Sequence, residues 1–151
     1  MKSSPASLLV IDANLAVRTL IPLGDGVALR LVECWQQEDR RLFAPELWLA
    51  ETTSVIRRMA YAGMITSQEG MCALQDIAAL GVQVVAADVA LCVAAYQWSE
   101  RLNQAKAYDG FYLALAERLR AEQNSPVEFW TADSRLYHQA QQVGVSWVRQ
   151  P

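Results

Sequence analysis

Leu8-Leu9-Val10-Ile11-Asp12-Ala13-Asn14 is the stretch whose reading decides the fold. Its short apolar run, leucine-rich and β-branched and ending on polar turn residues, predicts a central strand. The strand ends on a carboxylate. A carboxylate beside buried surface must be paired, protonated or bound to a cation, because leaving it alone is costly. The same arrangement recurs along the chain. Asp133 closes Val127-Glu128-Phe129-Trp130-Thr131-Ala132, Glu51 lies within Leu47-Trp48-Leu49-Ala50-Glu51, and Asp109 opens Phe111-Tyr112-Leu113-Ala114-Leu115-Ala116.

Outward from the first strand, helical and strand-like runs alternate. Residues 14–21 suit a short helix stopped by Pro22, Gly24-Asp25-Gly26 a turn, and 27–37 a helix with Val27, Leu31, Val32 and Trp35 at helical spacing. A second strand over 41–44 runs into Pro45, which suits the first turn of a helix over 46–62. Thr66-Ser67-Gln68-Glu69 reads as a capping box opening a helix to about Leu80, and 82–85 as a third strand. Asp88 can cap a helix through about Asn103, and another starts at Lys106-Ala107-Tyr108-Asp109 and runs to about Gln123. Residues 128–131 form a fourth strand, Asp133-Ser134 cap a last helix ending at Gly144, and 145–148 close the chain as a strand. Five short strands separated by helices predict a three-layer α/β/α fold around a mainly parallel sheet.

Length and composition agree with this reading. A chain of 151 residues, 53% apolar and 19% charged, is one ordinary globular domain over 1–151. Its net charge of −3 excludes a generally basic nucleic-acid surface, so any such contact must be a local patch. Cys34, Cys72 and Cys92 have no close-spaced pair and read as free core thiols of a reducing compartment. Met1-Lys2-Ser3-Ser4-Pro5 leads straight into the first strand, with no signal-peptide core and no stretch near the roughly 20 apolar residues of a membrane span. A cytoplasmic location is expected.

In an open parallel sheet, ligands bind beyond the carboxyl ends of the strands, where the strand order reverses. Asp12 and Asp133 would share that crevice if their strands are neighbours, and Glu51 and Asp109 sit near helix starts that can lean over it. Four oxygen donors, with the single histidine His138 far along the last helix, favour Mg²⁺ or Mn²⁺ over zinc or copper. Each acid also has a plain structural reading. Asp12-Ala13-Asn14 is good turn chemistry, Asp109 and Asp133 suit helix N-caps, and Glu51 suits the solvent face of an amphipathic helix.

The blocks Val10-Ile11-Asp12-Ala13-Asn14, Ala44-Pro45-Glu46-Leu47-Trp48-Leu49-Ala50-Glu51, Tyr108-Asp109-Gly110-Phe111-Tyr112-Leu113-Ala114-Leu115-Ala116 and Trp130-Thr131-Ala132-Asp133 together resemble the PIN domain. The resemblance is strongest to the VapC-type ribonuclease toxins and spans nearly the whole chain. It implies a sheet order of 3-2-1-4-5 and a metal-dependent nuclease acting on RNA. It implies that Asp12, Glu51, Asp109 and Asp133 hold Mg²⁺ or Mn²⁺, and that Asn14 and Thr131 hydrogen-bond carboxylates or metal-bound water. A homodimer and a bound antitoxin are further implications. One departure is Gly110, where the family often has alanine; a glycine is expected to loosen the first turn of its helix.

Basic side chains near the crevice are candidates to hold RNA: Arg58 two turns after Glu51 on the same face, Lys106 just before Asp109, and Arg18 and Arg135. Each also reads as a solvated surface charge. Arg57, on another face, is the weaker candidate. Trp48, Trp130 and Trp147 read as core residues sooner than base-stacking platforms. Met59, Tyr61, Met64 and Met71 suit either a partner surface or core packing.

Competing functions fit less well. A haloacid-dehalogenase-like phosphohydrolase with Asp12 as nucleophile wants a second acid at the position of Asn14. A phosphate-accepting receiver domain wants a lysine after its last strand, and none stands there. A PIN nuclease outside any toxin pair remains open, as does a catalytically silent interaction module, whose mark would be a broken acidic quartet.

Overall fold

Burying an all-apolar strand requires neighbours on both edges and helices on both faces. The computed structural model, which describes residues 8–24, 26–37 and 40–151, meets that requirement. The leader Met1–Pro5 and Asp25 of the expected turn lie outside the described residues. The strands are β1 (Leu8–Ile11), β2 (Arg41–Pro45), β3 (Gln83–Val85), β4 (Val127–Trp130) and β5 (Val148–Arg149). They form one sheet in the order β3-β2-β1-β4-β5, and every pairing is parallel. β1 is the centre, with Val10 opposite Phe43 on one side and Phe129 on the other. The strand order reverses between β1 and β4, so their carboxyl ends flank the switch point.

Among the described residues, seven helices connect these strands: α1 (Ala13–Leu20), α2 (Val27–Gln37), α3 (Leu47–Tyr61), α4 (Ser67–Gln75), α5 (Val89–Arg101), α6 (Tyr108–Gln123) and α7 (Ser134–Gln142). Among the described residues, no helix is long and apolar enough to cross a membrane. Side-chain caps start several of them. Thr66 and Glu69 form the expected capping box of α4, and Asp88 accepts from Leu91 N at 2.7 Å to open α5. Asp12 and Asp133 cap α1 and α7.

Several boundaries differ from the sequence reading: Pro45, expected in the first turn of a helix, closes β2 opposite Val85, most others move by a residue or two, and three further shifts have a visible cause. The helix expected over 66–80 is α4 followed by a 3-10 turn, Asp76–Leu80, which ends at Gly81 with φ 67°. The helix expected to reach Asn103 ends at Arg101, because Asn103 adopts φ 52° and its N–H turns back to the Glu100 carbonyl. The closing strand is Val148–Arg149, because Val145 N bonds back to Ala140 O at 3.0 Å and so belongs to the helix end.

Helix α6 lies across β1, β2 and β4 and packs along α5. Tyr112, Leu113, Ala114, Leu115 and Ala116 are all buried there, so it has almost no solvent face near its middle. Gly110 makes that packing possible: a methyl at its position would overlap the Ala95 carbonyl of α5. The glycine expected to loosen α6 is instead where two backbones approach closely. A smaller cluster of Val17, Ile56, Met59 and Ala73 joins α1, α3 and α4. Met59 is therefore core, while Tyr61, Met64 and Met71 are exposed. Trp48 is core too, and Trp147 packs edge-on against Trp98. The cysteines are free, but only Cys34 is partly buried; Cys72 and Cys92 face outward on α4 and α5.

Candidate active site

Asp12 follows β1 directly, in extended backbone, and is 7% exposed. Its Oδ1 accepts from Leu15 N at 2.8 Å; its Oδ2 accepts from Thr131 Oγ1 at 2.6 Å and Ala132 N at 3.0 Å. Thr131 is completely buried at the end of β4, and its hydroxyl also accepts from Asp133 N at 3.0 Å. One hydroxyl thus ties together the chain ends that follow neighbouring strands. Asp133 caps α7 through Oδ1 alone, at 2.9 Å from Arg135 N and 3.1 Å from Leu136 N. The turn and cap readings of these two acids hold, and they do not compete with a site: capping is how the backbone aims them.

Glu51 is half-buried on α3, not solvent-facing, and Tyr112 OH donates to its Oε2 at 3.4 Å. Asp109 is not an N-cap. Ala107 takes that position, and Asp109, in the first turn of α6, accepts at Oδ2 from Gln104 Nε2 at 3.0 Å.

Burial is the first cause of the altered acidity of these groups. It pushes Asp12 up against the pull of its three hydrogen bonds, with Asp133 adding to the rise. Glu51 is pushed up to about 7, first by burial, then by Asp109; Tyr112 opposes and Asp12 reinforces the shift. Asp109 is also raised, by burial and then Asp133, while Gln104 and Arg135 pull it down. Tyr112, buried and facing Glu51, Asp12 and Asp109, is held firmly as the neutral phenol. Each acid therefore lies within the field of another, which joins Glu51, Asp109, Asp133 and Asp12 into one electrostatic group. Among the described residues, no three acidic, histidine or cysteine side chains stand close enough to make a ready-formed metal cage. The donor set still fits a hard divalent cation, because its side-chain donors are all oxygen and three of the four carboxyls are partly desolvated.

Three adjoining clefts surround the acids. One of about 460 Å³ is lined by Asn14, Glu51, Arg58, Tyr108 and Asp109. A second, about 330 Å³, shares Asn14 and is lined by Arg18, Met59 and Asp133. A third, about 430 Å³, shares Tyr108 and Asp109 and is lined by Lys106 and Arg135. All four candidate RNA-binding cations thus reach the groove, whereas Arg57 lies against the Tyr61 ring instead. Asn14 is exposed at the junction of two clefts. His138 is exposed and packs against Tyr137, apart from the acids.

Tyr112 and Gln104 were not singled out from sequence. Tyr112 stands three residues after Asp109, on the same helical face, and that spacing is a usable signal. Gln104 carries no comparable mark.

No protein-family model matches this chain, and no curated protein matches it in sequence. The fold nonetheless defines a class: it is PIN-like, with the 3-2-1-4-5 sheet order that the sequence resemblance implied. PAE2754 from Pyrobaculum aerophilum shares it at a TM-score of 0.60 and 13% identity, over 92% of this chain and 83% of that one. VapBC2 from Rickettsia felis, bound to a DNA fragment from its promoter, matches at 0.59 and 11% identity, over 95% of this chain and 98% of that one. VapC20 from Mycobacterium tuberculosis, a sarcin-ricin loop cleaving toxin, matches at 0.59 and 14% identity, over 86% and 93%. At such identities the likeness is one of fold.

Proposed function

We propose that this chain is a metal-dependent endoribonuclease that hydrolyses RNA phosphodiester bonds and serves as the toxin of a type II toxin–antitoxin pair. The observation that carries this reading is placement: Thr131 ties Asp12 to Asp133 beside the switch point of a PIN-like sheet, and Glu51 and Asp109 line the cleft that adjoins the one beside Asp133. VapC20, a sarcin-ricin loop cleaving toxin of the same fold, favours the nuclease assignment, and VapBC2 favours a cognate partner.

Asp12, Glu51, Asp109 and Asp133 would hold Mg²⁺ or Mn²⁺. When bound, such an ion lowers the pKa of water and neutralises charge on a phosphodiester transition state. The rest falls to the chain's own residues. Thr131 fixes Asp12 in one orientation and keeps Asp133 beside it. Tyr112 and Gln104 orient the two helix-borne acids. Arg18, Arg58, Lys106 and Arg135 hold the RNA backbone along the groove, offsetting the repulsion between phosphates and the acids. Asn14, at the cleft junction, is a hydrogen-bonding group for the substrate or bound water.

An antitoxin segment would sit in the cleft beside Asp133, which Val17, Ile21 and Leu23 make partly apolar. A homodimer would use the exposed Tyr61, Met64 and Met71 near the α3–α4 turn. The test is cleavage of varied RNAs with Mg²⁺ or Mn²⁺, with chelator, and after Asp12→Asn. Metal-dependent cleavage that the substitution abolishes is expected. Cleavage that ignores either the chelator or the substitution sinks the assignment.

A further inference from the structure

The cleft between the α5–α6 turn and α7 has a chemistry the other two lack. Its walls carry three carboxamides, Asn103, Gln104 and Gln139, together with Lys106, Arg135 and the exposed ring of Tyr108. Its volume, about 430 Å³, lies in the range of small-molecule sites, about 300–1,000 Å³. We propose that it is a base-reading subsite for the nucleotide next to the scissile phosphate. This rests on the nuclease reading and adds where sequence preference resides.

Gln104 organises the subsite. Its backbone is fixed because its N–H donates to Ser99 O at 2.9 Å, after Asn103 turns through the left-handed region. Its side chain then bridges two helices, with Nε2 at 3.0 Å from Asp109 Oδ2 and 2.8 Å from Gln139 Oε1. Gln104 presents its amide nitrogen to the Asp109 carboxyl oxygen, an acceptor. The remaining N–H goes to Gln139, which must answer with its oxygen. That leaves Gln104 Oε1 as an acceptor and Gln139 Nε2 as a donor, on residues that both line the cleft.

A neighbouring donor and acceptor is what an unpaired base presents along its edge, and single-stranded RNA is read on such edges. Tyr108, 60% exposed at the boundary with the Glu51 cleft, offers the stacking face. Arg135 and Gln139, one turn apart on α7, share a face. A phosphate on Arg135 and Lys106 would therefore be followed by a base on the carboxamides. Asp109 borders both this cleft and the Glu51 cleft, so the bound nucleotide adjoins the acids. The cleft beside Asp133 is instead lined largely by Val17, Ile21, Leu23, Val55, Met59 and Met64, which cannot discriminate base edges.

The test measures binding without cleavage. Fluorescence anisotropy of labelled pentaribonucleotides of A, C, G or U is read on the full chain carrying Glu51→Gln, with Mn²⁺, over a range of salt. The expected spread among the four is at least about fivefold, from one good donor–acceptor match. Adding Gln139→Ala or Asn103→Ala should compress it to within about twofold. Adding Lys106→Ala should weaken all four alike and reduce the salt slope by about 0.7. Four equal affinities overturn the subsite, and so does a spread that survives both carboxamide substitutions in folded protein. Cleavage by the wild type is scored separately, so absent cleavage counts against the nuclease reading while the binding spread judges the subsite alone.

Discussion

Asp12 and Asp133 stand at strand ends, held by backbone amides and the buried Thr131 hydroxyl. Glu51 and Asp109 stand on helices, and each meets one side-chain donor, Tyr112 at 3.4 Å or Gln104 at 3.0 Å. The strand-borne pair is therefore part of the fold's own hydrogen bonding. The helix-borne pair is tied to the fold by these single side-chain contacts instead. The difference teaches which substitutions should cost stability and which should cost only activity.

Asp12→Ala should have the largest effect, because it removes both the proposed metal ligand and the acceptor for three donors. Activity should fall below detection, and denaturant unfolding should show a loss of about 2–4 kcal/mol from the unsatisfied buried groups. Unchanged stability would mean that the strand-borne acid is not structural. Gly110→Ala comes next, since its methyl must push against the Ala95 carbonyl. Overpacking of that kind costs about 1–3 kcal/mol, read as a lower Tm, and it should lower activity only as far as Asp109 moves with α6. Thr131→Val should cost about 1–3 kcal/mol, because Asp12 Oδ2 and Asp133 N lose their shared partner. Tyr112→Phe, by contrast, gives up one long hydrogen bond, so its stability change should stay below about 1 kcal/mol.

The same comparison predicts a pH response. Glu51 has an ordinary value of 4.5 and a folded value of about 7, so the folded state binds its proton more tightly between them. The stability this contributes is full below 4.5 and is lost as pH rises through about 7. Metal-free protein should therefore melt at a lower temperature at pH 8 than at pH 5.5. Glu51→Gln should flatten that trend, and an equally steep trend in the variant would assign it to another group.

The fold is legible in the sequence where one physical cause acts alone. An apolar strand such as Leu8–Ile11 must be central, and the caps at Thr66 and Asp88 mark helix starts by local hydrogen bonding. It is less legible where tertiary contacts decide. Gly110 looked like a helix weakness because its partner, the Ala95 carbonyl, is distant in sequence. Val145 looked like a strand residue because its bond back to Ala140 has no compositional mark. At the site, Asp12 and Asp133 were legible from strand ends. The raised pKa values of Asp12, Glu51 and Asp109 were not legible, because burial is the first cause for each raised acid and burial is a property of the packed helices. Gln104 was invisible because its role depends on the left-handed turn at Asn103, which brings it between α6 and α7.

The proposed function requires that Asp12, Glu51, Asp109 and Asp133 together bind a hard divalent cation. Titration calorimetry with Mn²⁺ near pH 6.5, repeated in buffers of different ionisation enthalpy, tests it most directly. The account predicts saturable binding with net proton release, and a smaller release after Glu51→Gln, because a raised carboxyl must ionise to bind metal. Absence of saturable binding at millimolar Mn²⁺, or binding that releases no protons, would contradict it.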